Sequence, residues 1–295
     1  MKILKAILLL VIVAGSLTLK GQDINFKPKF GAFGGKKEMK ETKRVFICEF
    51  VVEQMLRKKG MAKAGGGLMG DMSYAHMTVD FGGVDPAAYQ QLVDDLYKYT
   101  VDKFKSLGYE VVTGEEAKGK TSKELKTYDM GKPESSRNIE LYTAIRPKDQ
   151  LLYVNTSVFA GNAFTNLAKD LNAIVFQFAM PVDYVSYEAT RGGAFSTKAE
   201  LQASPYLAVS GSTIISVSKG GATVMLNAAK APNDWVGPGG FTKTDGKYPH
   251  YYANAAHSKF SVDIDEPKYF EYLKQYLTAA VNCSIDTFMK EYVNN

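Results

Sequence analysis

The sequence predicts an α+β fold: one mixed β-sheet flanked by amphipathic helices, with its later strands antiparallel. Three observations carry this. Two dense β-branched runs, Val45 to Val52 and Ala173 to Met180, read as buried strands. Two helical periodicities each begin at an Asp-then-Pro start, Asp85-Pro86 and Asp265-Glu266-Pro267. Late in the chain, Lys219-Gly220-Gly221 separates two apolar segments as a hairpin turn does.

The chain has 295 residues, 45% apolar and 23% charged. That excludes a disordered tail, a collagen-like chain and a disulfide-dense miniprotein, and leaves room for one large domain or two small ones. Residues 1–21 have the three-part form of a secretory signal: basic Lys2 and Lys5, an apolar run from Ala6 to Gly15, and a polar return at Lys20 to Asp23. Ten apolar residues are too few to cross about 30 Å of hydrocarbon as a helix. Cleavage is expected near Gly21 or Gln22, with Ser16 as the alternative. The expected location is therefore the periplasm or outer envelope. No cysteine near the junction offers a lipid attachment site, so a lipoprotein is not expected.

Charge is polarised. Lys and Arg exceed acids by 36 to 31 over the chain, for a formal +5, and loss of the signal would reduce the count to 33 against 31. From Asp23 to Lys63 there are eleven bases and five acids, whereas the remainder is slightly acidic. The basic segment suits an acidic partner or peripheral contact with anionic lipid, and nucleic acid is not expected.

Residues 22–43, with Pro28, Gly31 and several lysines, lack periodicity and read as a flexible basic linker before a single domain at 44–295. After the first strand, residues 54–84 read as a Gly- and Met-rich loop. The helix that follows recurs at Tyr89, Leu92, Val93, Leu96, Thr100, Phe104 and Leu107, and Gly108 stands at its C′ position. Tyr109 to Val112 resumes as a strand. A short helix is expected over Lys123 to Tyr128, a short strand at Leu151 to Val154, and an amphipathic helix from Asn162 through Leu171. The strand after it alternates on through Tyr184 and Tyr187. Further strands are expected at Leu207 to Val217 and Ala222 to Leu226. The last helix, Pro267 to Tyr292, carries a stripe of Phe270, Leu273, Leu277, Val281, Ile285, Phe288 and Tyr292.

Candidate chemistry is sparse. Gly114-Glu115-Glu116-Ala117-Lys118-Gly119-Lys120-Thr121 satisfies the phosphate-loop pattern G-x-x-x-x-G-K-[ST]. Its two glutamates would sit where backbone N–H groups should face phosphate, so Gly114, Gly119, Lys120 and Thr121 are weak nucleotide candidates. Gly65, Gly67 and Gly70 match a dinucleotide fingerprint but lack its strand-to-helix setting. The three histidines, His76, His250 and His257, form no zinc pattern. No catalytic constellation stands out, and neither cofactor nor metal is expected. Cys48 and Cys283 permit one disulfide, although each also suits burial as a free thiol. Met61, Met69, Met72 and Met77 are candidates for an adaptable contact surface. Trp235 with Tyr248, Tyr251 and Tyr252 could line a groove for a small ligand or glycan. For both groups, packing within the protein is the alternative account.

The strand VFICEFVVE, the helix ending in SLGYEVVTGEEA, the passage LAKDLNAIVFQFAM, the pair around ISVSKGGATVML and the terminal helix resemble, in order, the periplasmic domain of curli-secretion channel lipoproteins and the N-terminal domain of TolB-family proteins. The resemblance spans Arg44 to Tyr292. The chain departs from the curli family in lacking the lipid-anchor cysteine. The resemblance implies a non-enzymatic envelope protein that acts through contacts with other proteins, as a secretion or assembly accessory, with other envelope proteins or further copies of itself as partners. A small-ligand or glycan-binding module is the alternative, and a hydrolase with carboxylates that cannot be placed comes third.

Overall fold

The computed structural model describes residues 24, 26–64, 73–120, 125–127, 134–136, 140–148, 152–154, 160–191, 199–226, 240–243, 251–254 and 257–294. The expected signal, residues 1–21, lies outside them. In chain order the strands are β1 (Pro28–Ala32), β2 (Arg44–Ala64), β3 (Ser73–Gly82), β4 (Glu110–Val111), β5 (Leu125–Thr127), β6 (Glu134–Ser136), β7 (Glu140–Ile145), β8 (Leu152–Val154), β9 (Ile174–Arg191), β10 (Ala199–Val209), β11 (Gly211–Val217), β12 (Gly220–Leu226), β13 (Tyr251–Asn254) and β14 (His257–Asp263). The helices are α1 (Lys36–Glu41), α2 (Pro86–Ser106), α3 (Gly114–Lys120), α4 (Ala160–Leu171) and α5 (Glu266–Phe288), the last running into a π-turn at Met289–Val293. Twelve strands join one mixed sheet, and β5 and β8 form a separate pair.

The spine is β2, whose residues from Val45 to Val52 are buried on both faces, as a strand between two layers must be. Along one edge it runs parallel to β9, from Val45↔Ile174 to Gln54↔Val182, with a bulge between Ile47 and Glu49. Along the other edge it carries β4 in parallel and β7 antiparallel. α2 and α5 cover one face, bringing Val93, Leu96 and Phe104, with Leu277, Ile285 and Phe288, onto Val45, Ile47, Phe50, Phe176 and Phe178. The Phe176 ring packs edge-on to Phe288 at 5.1 Å and tilted on Phe104 at 4.7 Å, arrangements that add to area burial. α3 and α4 cover the opposite face, where Ala117, Phe164, Leu167 and Leu171 meet Phe46, Cys48 and Val175.

The expected caps are present. Asp85 accepts from the Ala87 N–H at 2.9 Å with Pro86 behind it, and Asp265 caps α5. Gly108 follows α2 with φ +84°, the left-handed conformation that a C′ glycine supplies without steric cost.

Beyond Gln54 the two long strands part. β3 takes over the edge of β2 that β9 leaves, pairing antiparallel from Arg57↔Asp80 to Ala64↔Ser73, and β14 adds in parallel to the far side of β3. β9 continues with β10, and β13 joins β10. The result is two ribbons facing each other. Between them lie Ala62, Ala75, Met77, Leu201 and Ala203. At the parting the Lys58 ammonium donates to the Asp183 carboxylate and to the Val185 carbonyl, and Tyr206 donates to the same carboxylate. Tyr184 reaches across to donate to the Val79 carbonyl.

Several expectations need correction. Residues 28–41 are not a linker. β1 pairs antiparallel with β12, and Glu38 of α1 accepts from the Ser218 and Lys219 N–H groups at the β11–β12 turn, so lysines without periodicity still found an edge to complete. Within the expected loop at 54–84, residues 54–64 and 73–82 are strand. Most of them form the β2–β3 hairpin, whose small residues Ala62 and Ala75 suit the space beneath the opposing ribbon. Residues 125–127 are strand β5 rather than helix. The segment 207–217 is interrupted at Ser210, whose N–H bonds to the Pro181 carbonyl, and the two halves follow one another along the same edge of β9. On α5 the buried stripe runs through Tyr269 rather than Phe270, which is half-buried. Cys48 and Cys283 do not pair. Both are free thiols, because Cys48 faces α4 while Cys283 sits on α5 across the sheet.

Candidate functional site

Where β7, the end of β3 and the start of α2 meet, a cavity of about 490 Å³ opens. Its walls are mostly apolar: Leu56 from β2, Phe81 from β3, Val84 and Pro86 at the entry to α2, and Ile145 from β7. The polar groups converge from three elements. Gln54, on β2, faces the cavity at a position where alternation puts a core residue, and it is 1% exposed.

Gln54 is held from two sides. Its Oε1 accepts hydrogen bonds from the phenols of Tyr89 on α2, at 2.9 Å, and Tyr269 on α5, and its Nε2 donates to the Met55 carbonyl at 2.8 Å. Burial raises the pKa of both phenols well above the usual tyrosine range, so they remain neutral donors. With both O–H groups committed to Gln54, each phenol oxygen keeps lone pairs, and the second hydrogen of Nε2 has no role in these bonds.

At the cavity rim stands Arg146, just beyond β7. It donates through Nε and Nη2 to Glu49 Oε1, at 3.3 and 3.0 Å. Gln177, the register partner of Glu49, donates to the other carboxylate oxygen. Glu49 is buried, so its charge demands such a partner. The guanidinium is thus neutralised from within the protein. Gln90 accompanies it, donating to the Arg146 carbonyl at 2.7 Å and to Asp94 at 2.9 Å.

The described lining contains no Ser, Cys, His, Asp or Glu, and its hydroxyls are those of Thr143 and Tyr89. Among the described residues no three His, Cys, Asp or Glu side chains gather as a metal site, and no helix is long and apolar enough to cross a membrane.

The residues singled out from sequence lie elsewhere. Met61 is on β2, 61% exposed, whereas Met77 faces the core at 1%. Met69, Met72, Trp235, Tyr248 and Thr121 lie outside the described residues. Tyr251 and Tyr252 belong to β13, paired with Ala203 and Gln202 of β10, rather than to a loop. Gly114, Gly119 and Lys120 fall within α3, where Lys120 and Arg44 both bind the Glu116 carboxylate, at 2.7 and 2.6 Å. That is a helix tied down by ion pairs rather than a loop cradling phosphate.

Sequence reasoning missed Gln54, Arg146 and the role of Tyr89. Tyr89 was legible as part of the α2 stripe, and its hydroxyl required a partner once buried. A glutamine two residues beyond Val52 on the same strand face was the available sign of that partner.

Comparisons with family models, curated proteins and solved structures found no match for this chain. The fold and the cavity therefore define a class only: a mixed α+β domain with a pre-formed, largely apolar pocket.

Proposed function

We propose that this chain is an exported cell-envelope protein that works by binding, without turnover, and that the cavity beside Gln54 is where it binds. The observation that carries the reading is the cavity itself: pre-formed, mostly apolar, and with its few polar groups fixed by hydrogen bonds before any ligand arrives. Such a pocket is the default binding site of a domain. The ligand that fits is uncharged and mainly apolar, with one hydroxyl or amide. Its polar group would accept from Gln54 Nε2 and donate to the Tyr89 oxygen. A carboxylate is disfavoured because Glu49 already neutralises Arg146.

Titration with Nile red, a neutral apolar dye, tests this. The purified chain should bind one dye per molecule with a blue shift, and Thr143→Trp, which fills the space opposite Gln54, should abolish binding while the protein stays folded. Binding that is absent, or unchanged in the variant, overturns the reading.

The second reading is contact with other envelope proteins, the role implied by the resemblance to curli-secretion and TolB-family domains. It is favoured by the exposed Met61 and Tyr74 on the β2–β3 hairpin, set among Lys59 and Lys63. Crosslinking in intact envelopes from Met61→Cys would trap an acidic partner, or a second copy, under this reading. Recovery of uncrosslinked chain alone counts against it.

A further inference from the structure

The outer face of the β2–β3–β14 ribbon carries one row of residues that neither the cavity nor the core uses. Met61 is the register partner of His76, and His76 is the register partner of His257, so the three stand side by side across adjacent strands. They share the outward face. Their neighbours Ala62, Ala75 and Met77 are buried, while Met61 and His257 are exposed and His76 is half-exposed. The two imidazoles already meet, with ring centroids 4.8 Å apart and planes 21° from parallel. Residues directly opposite on paired strands have Cβ atoms about 4.5–5.5 Å apart, within the reach of a methionine thioether.

From this row we infer a monovalent copper site, with Cu(I) held by one nitrogen from each of His76 and His257 and by the Met61 sulfur. The donor set selects the metal. Thioether sulfur is a soft ligand that favours Cu(I), whereas zinc draws on thiolate, imidazole and carboxylate. Charge argues the same way. All three donors are neutral, and the same face holds Lys59, Lys63 and Lys259. Its two carboxylates are already bound, Asp80 by Arg57 at 2.6 Å and by Lys259 at 3.0 Å, and Asp263, at the far end of β14, by Lys243 at 2.9 Å. A single positive charge is tolerated there better than two. Neither imidazole is hydrogen-bonded among the described residues, so coordination displaces no protein contact of that kind. The ribbon backbone supplies the rigidity, and rotation of the exposed His257 ring and the half-exposed His76 ring brings their nitrogens onto one ion.

The test is anaerobic competition for Cu(I) supplied as its bathocuproine disulfonate complex, with the whole purified chain. One equivalent should transfer to the protein. His76→Ala and His257→Ala should each weaken retention by roughly tenfold or more, since even losing a supporting residue costs that much at metal sites. X-ray absorption should show two nitrogens and one sulfur on the copper, with the sulfur lost in Met61→Leu. Absence of transfer overturns the site, and so does copper retained equally by both histidine variants, which would place it on other methionines. The three side chains lie on the surface, so thermal melts of the variants should match the parent. The Nile red titration is independent of this site, and the two readings stand or fall separately.

Discussion

The ring of Tyr187 lies directly over Gly60, so close that a Cβ on the glycine would sit 2.7 Å from ring Cδ1 and 2.9 Å from the Leu201 side chain. This is where the two ribbons touch, and Tyr187 also donates to the Lys58 carbonyl at 2.7 Å. Glycine in a strand weakens it, and here the close approach of a second layer accounts for it.

Gly60→Ala should therefore destabilise the protein by about 1–3 kcal/mol, the usual cost of overpacking. Tyr187→Ala should remove the nearer of the two obstacles and leave Leu201, so the double variant should lose less than the sum of the two single losses. Urea denaturation of all four proteins reads the coupling. Strict additivity would mean the contact does not exist.

Gln54→Leu keeps the volume but leaves two buried phenols without an acceptor. Each should cost about 1–3 kcal/mol. Adding Tyr89→Phe should recover part of the loss, because one orphaned hydroxyl is removed. A triple variant that also carries Tyr269→Phe should recover more. The order of melting temperatures across this series checks the network.

The hydrogen bond from Arg57, helped by Lys259, holds the Asp80 carboxyl below its ordinary value of 3.8. A carboxyl whose folded pKa is depressed contributes stability above its unfolded pKa and loses it as pH falls through the folded one. Thermal melts from about pH 6 downward should show the parent losing stability most steeply below about pH 4, with a shallower acid limb in Asp80→Asn. The Asp80 side chain is 22% exposed and its Arg57 partner 41%, so solvent screens the pair, and the difference should be small and should shrink in high salt. An unchanged acid limb would remove Asp80 from the account.

Burial pushes the Cys48 thiol well up and the Cys283 thiol up to a lesser degree. Native protein should react slowly with a thiol reagent at the half-buried Cys283 and not at Cys48. Two thiols per chain should react once the protein is unfolded without reductant. A yield below two would reinstate the disulfide.

Much of the fold was legible because it rests on local rules. The Asp-Pro starts at Asp85 and Asp265, the glycine after α2, the β-branched runs of β2 and β9, and the Gly220 turn each declare themselves within a few residues. The β2–β3 hairpin was not legible. Its small and methionine-rich residues look like a loop until the opposing ribbon explains why Gly60, Ala62 and Ala75 must be small. α1 and β1 were missed for a similar reason, since an edge strand with little apolar pattern is stabilised by its neighbour rather than by its own burial.

What the sequence by itself determined is the elements that local signals mark, the first half of β2, α2, α4, β9, the β11–β12 turn and α5, and the polarity of their faces, because periodicity and capping act over one or two turns. Which distant residues meet was decided only by the tertiary structure. Glu49 finds Arg146, Gln54 gathers Tyr89 and Tyr269, and Met61, His76 and His257 align because strands far apart in the chain share a register. Register is set by the burial of whole faces, a sum over the entire sheet that no single stretch of sequence contains.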